Sequence, residues 1–148
     1  MEVYLASAAG LLSWCGKWGK IPTPLAHPTL LAACGADVAL ADSVNRLLYR
    51  QGRISTLPPG VEVLRCWRNQ LLTLSSETNC LTLYDAHDYP LVTLPAGIRP
   101  CDCAVVDCQV IVCGCEDGCL HIFSLPDLRE IAAYPVPGCP MRVAADGG

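Results

Sequence analysis

Apolar residues along this chain fall in short runs, separated at regular intervals by glycine, proline, asparagine and aspartate. Short apolar runs bounded by turn residues predict β-strands, because a helix would need apolar positions three and four apart over a longer span. Strands are predicted at 3–7, 38–42, 71–75 and 110–115. Each is followed by a residue suited to a hairpin turn, namely Gly10, Asn45, Asn79 or Gly118. Two positions beyond these stand Leu12, Leu47, Leu81 and Leu120, and two further on Trp14, Tyr49, Leu83 and Ile122. Residues two apart share one face of a strand.

This regularity is an internal repeat. Displacing the third unit by 39 positions carries Glu77 onto Glu116, Cys80 onto Cys119, Tyr84 onto Phe123, Asp88 onto Asp127 and Val92 onto Ile131. Four units of roughly 35 to 40 residues follow, at about 1–28, 29–60, 61–99 and 100–140. A further strand begins beside Pro28, Gly60, Pro100 or Pro140, at 29–34, 61–66, 101–106 and 141–145, so each unit holds four strands. With apolar residues on both faces, such sheets must stack face to face. The expected fold is all-β: one β-propeller domain of about four four-stranded blades. It is either a closed four-bladed ring or half of a seven- or eight-bladed one. Residues 141–148 would supply the closing inner strand by pairing with residues 3–7, within one chain or across a homodimer that shares the ring.

The elements Arg99-Pro100-Cys101-Asp102-Cys103-Ala104-Val105 and Gly138-Cys139-Pro140-Met141-Arg142-Val143-Ala144-Ala145-Asp146-Gly147 resemble the proline-led strand of YVTN-type, YncE-like β-propellers. Cys80-Leu81-Thr82-Leu83-Tyr84-Asp85 is similar to that family's Val-Ser-Val-Ile-Asp strand. The resemblance implies a propeller whose inner strands open at Thr29, Val61, Cys101 and Met141. It transfers no catalytic residue, since related propellers include binding modules, lactonase-like enzymes and quinone-dependent enzymes.

Composition narrows the function classes. Only 16% of the 148 residues are charged and the net charge is −4, with Lys and Arg scattered singly, so nucleic acid is not an expected partner. Pro22, Pro24 and Pro28 interrupt the longest uncharged stretch, and no segment has the length of a membrane span. Glu2 and the interrupted apolar start argue against an export signal, which makes the expected location cytoplasmic. Eleven cysteines, an odd number, then read chiefly as reduced small hydrophobes.

Cys101, Cys103, Cys113 and Cys115 are the candidate metal ligands. In a symmetric hairpin Cys101 opposes Cys115 and Cys103 opposes Cys113, giving four thiols on one patch. His27, His87 and His121 have no partner at metal spacing, and His121 reads as a packing or hydrogen-bonding residue between blades. Asp85, Asp88 and Asp127 read as turn caps. Glu77 and Glu116, repeated in successive turns, read as structural. Trp14 reads as core, whereas Lys17 and Trp18 are candidates for a contact surface. No nucleophile elbow, phosphate loop or His-Glu-x-x-His is present, so no catalytic residue and no cofactor is expected. The leading expectation is a non-enzymatic platform for a protein or small ligand. A piece of a propeller enzyme and a thiol-rich metal-binding module are the alternatives.

Overall fold

The computed structural model describes residues 3–7, 10–35 and 37–146, with backbone alone at positions 3, 7, 10 and 14. Among them, strands form four antiparallel sheets. No helix in them is long and apolar enough to cross a membrane. The first sheet holds β1 (Val3–Ser7), β2 (Gly10–Trp14) and β3 (Trp18–Ile21). The second holds β4 (Leu30–Cys34), β5 (Asp37–Asp42), β6 (Leu47–Arg50) and β7 (Arg53–Thr56). In the third are β8 (Val61–Trp67), β9 (Gln70–Ser75), β10 (Cys80–Tyr84) and β11 (Pro90–Pro95). The fourth comprises β12 (Pro100–Val106), β13 (Gln109–Gly114), β14 (Cys119–Ser124) and β15 (Arg129–Pro135). Each sheet is a meander in chain order, the blade of a propeller.

Turn chemistry accounts for the hairpins. Asn79 and Gly118 take positive φ of 56° and 64° between the second and third strands of their blades. In the second blade the Asp42 carboxylate accepts the Asn45 amide at 2.9 Å, and in the third the Ser75 hydroxyl accepts the Thr78 amide at 3.0 Å. Asp85 accepts the amides of His87 and Tyr89 in the same manner, as expected of a turn cap.

Three apolar clusters join successive blades. Leu11 and Leu25 meet Leu40 between the first and second. Ala39, Ala41 and Leu48 meet Leu64, Leu71 and Tyr84 between the second and third. Leu72, Leu74, Leu81 and Leu83 meet Cys103, Val110, Val112 and Phe123 between the third and fourth. A disulfide between Cys34 and Cys66, expected as free thiols, ties β4 to β8.

Two expectations need correction. The alignment of the first two units is one residue out. Positive φ falls at Arg46 rather than Asn45, and Leu47 faces the first blade whereas Leu48 faces the third, as Leu81 faces the fourth. Leu11, Leu48, Leu81 and Leu120 are therefore the equivalent residues, because a one-residue shift exchanges strand faces. In addition, residues 141–145 form no strand with β1. Their backbone is engaged by the fourth blade: the Val143 amide donates to Asp102 at 3.1 Å, and the Cys101 thiol donates to the carbonyls of Pro140 and Met141.

Candidate functional site: a hydroxyl-lined groove

The third blade is built with two unlike faces. On β9, Leu72 and Leu74 point to the fourth blade, and Thr73 and Ser75 to the other side. On β10, Leu81 and Leu83 alternate with Cys80, Thr82 and Tyr84. The hydroxyl-bearing face borders a groove of about 480 Å³ against the second blade, whose wall adds Arg46, Leu57 and Pro58. That volume lies within the roughly 300–1,000 Å³ of small-molecule sites. Hydroxyls both donate and accept, so this wall suits a ligand that does the same.

The wall is prearranged. The Thr82 and Thr93 hydroxyls lie 3.1 Å apart. Burial raises the Tyr84 phenol above its ordinary value, and the charge of Asp88 adds to that; hydrogen bonds with Thr73 and Thr82 oppose it without reversing it. The phenol is thus neutral near pH 7 and keeps its proton for donation. Asp88, which also lines the groove, is paired at 3.4 Å with Arg50, whose side chain is fully buried and whose guanidinium also donates to the Asn69 carbonyl at 2.9 Å.

A second pocket, of about 210 Å³, lies at the inner strands among Leu31, Glu62, Arg65, Asp102 and Arg142. Its charges are spoken for: Arg65 pairs with Asp102 at 3.0 Å, and Arg142 donates to the Cys101 and Met141 carbonyls. It is smaller than ligand sites usually are.

The four candidate thiols are not brought together. A bulge between Pro100 and Asp102 sets Asp102, not Cys103, opposite Cys113, and Cys103 opposite Val112. Cys101, Cys113 and Cys115 share the outer face of the fourth blade with Leu120 and Val143, whereas Cys103 enters the cluster toward the third blade. Burial pushes the Cys103 thiol up to about 12 and that of Cys113 to about 11, so neither is poised as the thiolate a metal requires. Cys139, which sequence reasoning passed over, brings its sulfur to 3.0 Å from that of Cys115. Trp18 opens the outer strand of the first blade, 56% exposed, and Lys17 is exposed beside it. The Trp14 side chain lies outside the described residues.

His121 does have partners, contrary to its reading from spacing. Its Nδ1 lies 2.7 Å from Glu130 and its Nε2 3.0 Å from Asp117. Burial works to lower the imidazole, but the two carboxylates outweigh it and hold it above its usual value. Burial likewise works to raise the Asp117 carboxyl, and the Ile98 amide, the His121 ring and the Cys119 amide together hold it below the usual range. Cys119 and His121 are two apart on β14 and Asp117 stands two before them in the turn, and that spacing was the signal available in the sequence.

No family model matches the chain, and no curated protein matches it. Solved structures do. It is similar to apo AztD from Citrobacter koseri, with 13% identity and a TM-score of 0.75 over 94% of this chain and 46% of that one. Virginiamycin B lyase from Staphylococcus aureus, a catalytically inactive variant solved with quinupristin, gives 13% identity and 0.75 over 99% and 57%. The dihydro-heme d1 dehydrogenase NirN gives 14% and 0.71 over 95% and 36%. These likenesses establish the propeller fold. The chain spans about half the length of the first two proteins.

Proposed function

We propose that the chain is a non-enzymatic propeller module that binds a small, neutral ligand rich in hydroxyl or amide groups in the groove between the second and third blades. The observation that carries this reading is the alternation on β9 and β10, which concentrates Thr73, Ser75, Thr82 and Tyr84 on one wall of a cavity of ligand size. A blade that served packing alone would make that face as apolar as its other one. The proline-led strands support placing the module near the YVTN-type propellers, and its match to about half the length of larger propellers supports ring closure with a second copy.

Saturation-transfer NMR against monosaccharides, nucleosides and free amino acids tests the reading. We expect one of these classes to bind the wild type, with binding lost in Thr82→Val and Thr73→Val while the fold is retained. Binding unaffected by both substitutions would refute the groove, and conversion of a bound compound to product would move the protein to the enzyme class. Sedimentation at twice 15.8 kDa is the result expected for a shared ring.

A further inference from the structure

A second site, independent of the groove, lies where the third and fourth blades meet. The side chains of Asp117, Cys119 and His121 each present one ligand atom, and these three atoms lie within 4.8 Å of one another. Bonds of about 2.0–2.3 Å in tetrahedral geometry separate ligand atoms by about 3.3–3.6 Å, so the trio needs little contraction to close on one ion. All three residues are partly exposed, which leaves a path from solvent.

We infer that Asp117, Cys119 and His121 bind a divalent cation of the zinc class, with Glu130 as the positioning carboxylate behind the imidazole. Carboxylate, thiolate and imidazole together suit a borderline-soft ion, and three protein ligands leave a fourth position for water or an added ligand. The Glu130 contact to Nδ1 fixes the tautomer that turns the Nε2 lone pair toward Asp117 and Cys119, as carboxylates behind metal-bound histidines commonly do.

The internal repeat argues that this arrangement is more than an ion-paired histidine. At the equivalent positions the third blade has Thr78, Cys80 and Thr82, with the Ser75 hydroxyl capping the turn. The fourth blade keeps the cysteine and changes everything around it. Ser75 is replaced by Gly114, and the Asp117 carboxylate folds into the space so vacated, where a Cβ would collide with it. Thr82 is replaced by His121, and a Cβ on Gly97 of the preceding connection would stand 2.8 Å from both Asp117 Oδ2 and His121 Nε2. Orienting a structural histidine needs one carboxylate, which Glu130 supplies. A second carboxylate at the other nitrogen, with two glycines making room for it and a thiol within 4.8 Å, completes a ligand set.

The test uses the full chain, stripped with a chelator under argon and titrated with Co²⁺. We expect one equivalent to bind with thiolate-to-cobalt charge-transfer absorption and the visible bands of a tetrahedral complex, both removed by Zn²⁺. Cys119→Ser should abolish the charge-transfer band, whereas Glu130→Gln should keep the band and weaken binding about 10- to 100-fold. Both substitutions are near isosteric and keep the test usable if His121→Gln fails to fold. Absence of the band, its persistence in Cys119→Ser, or unchanged affinity in Glu130→Gln would each overturn the site. Ligand binding in the groove should survive Cys119→Ser, which separates failure of this site from failure of the groove.

Discussion

The third blade meets both neighbours through apolar clusters, but only its joint with the second blade adds a polar wall. Toward the fourth blade it offers Leu72, Leu74, Leu81 and Leu83, all 1% exposed or less, against Val110, Val112 and Phe123. Trp67 ties the same joint by donating its indole N–H to the Asp107 carbonyl at 2.7 Å. Toward the second blade the same strands add hydroxyls and a groove to the apolar contacts of Leu71 and Tyr84, and β6 places there the buried guanidinium of Arg50, whose Nε has no partner among the described residues. Apolar burial of the first kind is the main favourable term in folding, and polar burial of the second costs free energy unless fully bonded. The difference teaches how a repeat protein makes room for a ligand: it weakens one joint between blades and reinforces it by other means. Here the reinforcement is covalent, since Cys34–Cys66 spans the polar joint and the dry joint has no such bond.

The strongest way to break this contrast is at the dry joint. Phe123→Ala should cost about 4 kcal/mol by leaving a cavity that its neighbours cannot fill, measured by chemical denaturation. At the polar joint, Cys34→Ser should cost about 3.5 kcal/mol, since the bond closes a loop with a sequence separation of 32. That loss should appear only under oxidising conditions, and a destabilisation that persists in excess reductant would contradict the stapling role. Thr82→Val in the groove should cost only about 1 kcal/mol, because its hydroxyl partner Thr93 is exposed and can turn to water. The smallest effect is expected at Cys103. Its thiol, pushed up to about 12 by burial, should alkylate at pH 8 at least ~10³-fold more slowly than exposed Cys15 or Cys108, read by mass spectrometry of peptides. Equal labelling of Cys103 in the native state would show that the dry joint opens.

The blades were legible in the sequence because their turns are marked by residues with a local reason to be there, such as Asn79 and Gly118 at positive φ. The register of the second blade was not. Arg46 occupies the left-handed conformation with its Nε bonded to the Leu57 carbonyl, and the neighbouring Asn45, the better residue for that conformation, is committed to Asp42. That one-residue error hid Arg50, which stands where the third blade has Leu83. The groove was within reach, since Leu alternates with Thr, Ser or Tyr along 72–75 and 81–84, but both faces had been counted as apolar. The expected thiol patch failed for a reason no local pattern displays, a bulge near the start of β12. The same irregularity recurs in β8 between Val61 and Val63, so it belongs to the repeat.

That recurrent bulge has a redox consequence. Cys101 and Cys103, one residue apart in the chain, are separated by the thickness of a sheet. No oxidant can join them within the folded blade, and oxidation of the outer-face group of Cys101, Cys113, Cys115 and Cys139 would spend itself there. The bulge acts as insulation, dividing neighbouring thiols between one compartment bordered by the exposed Cys139 and another that the fold keeps silent.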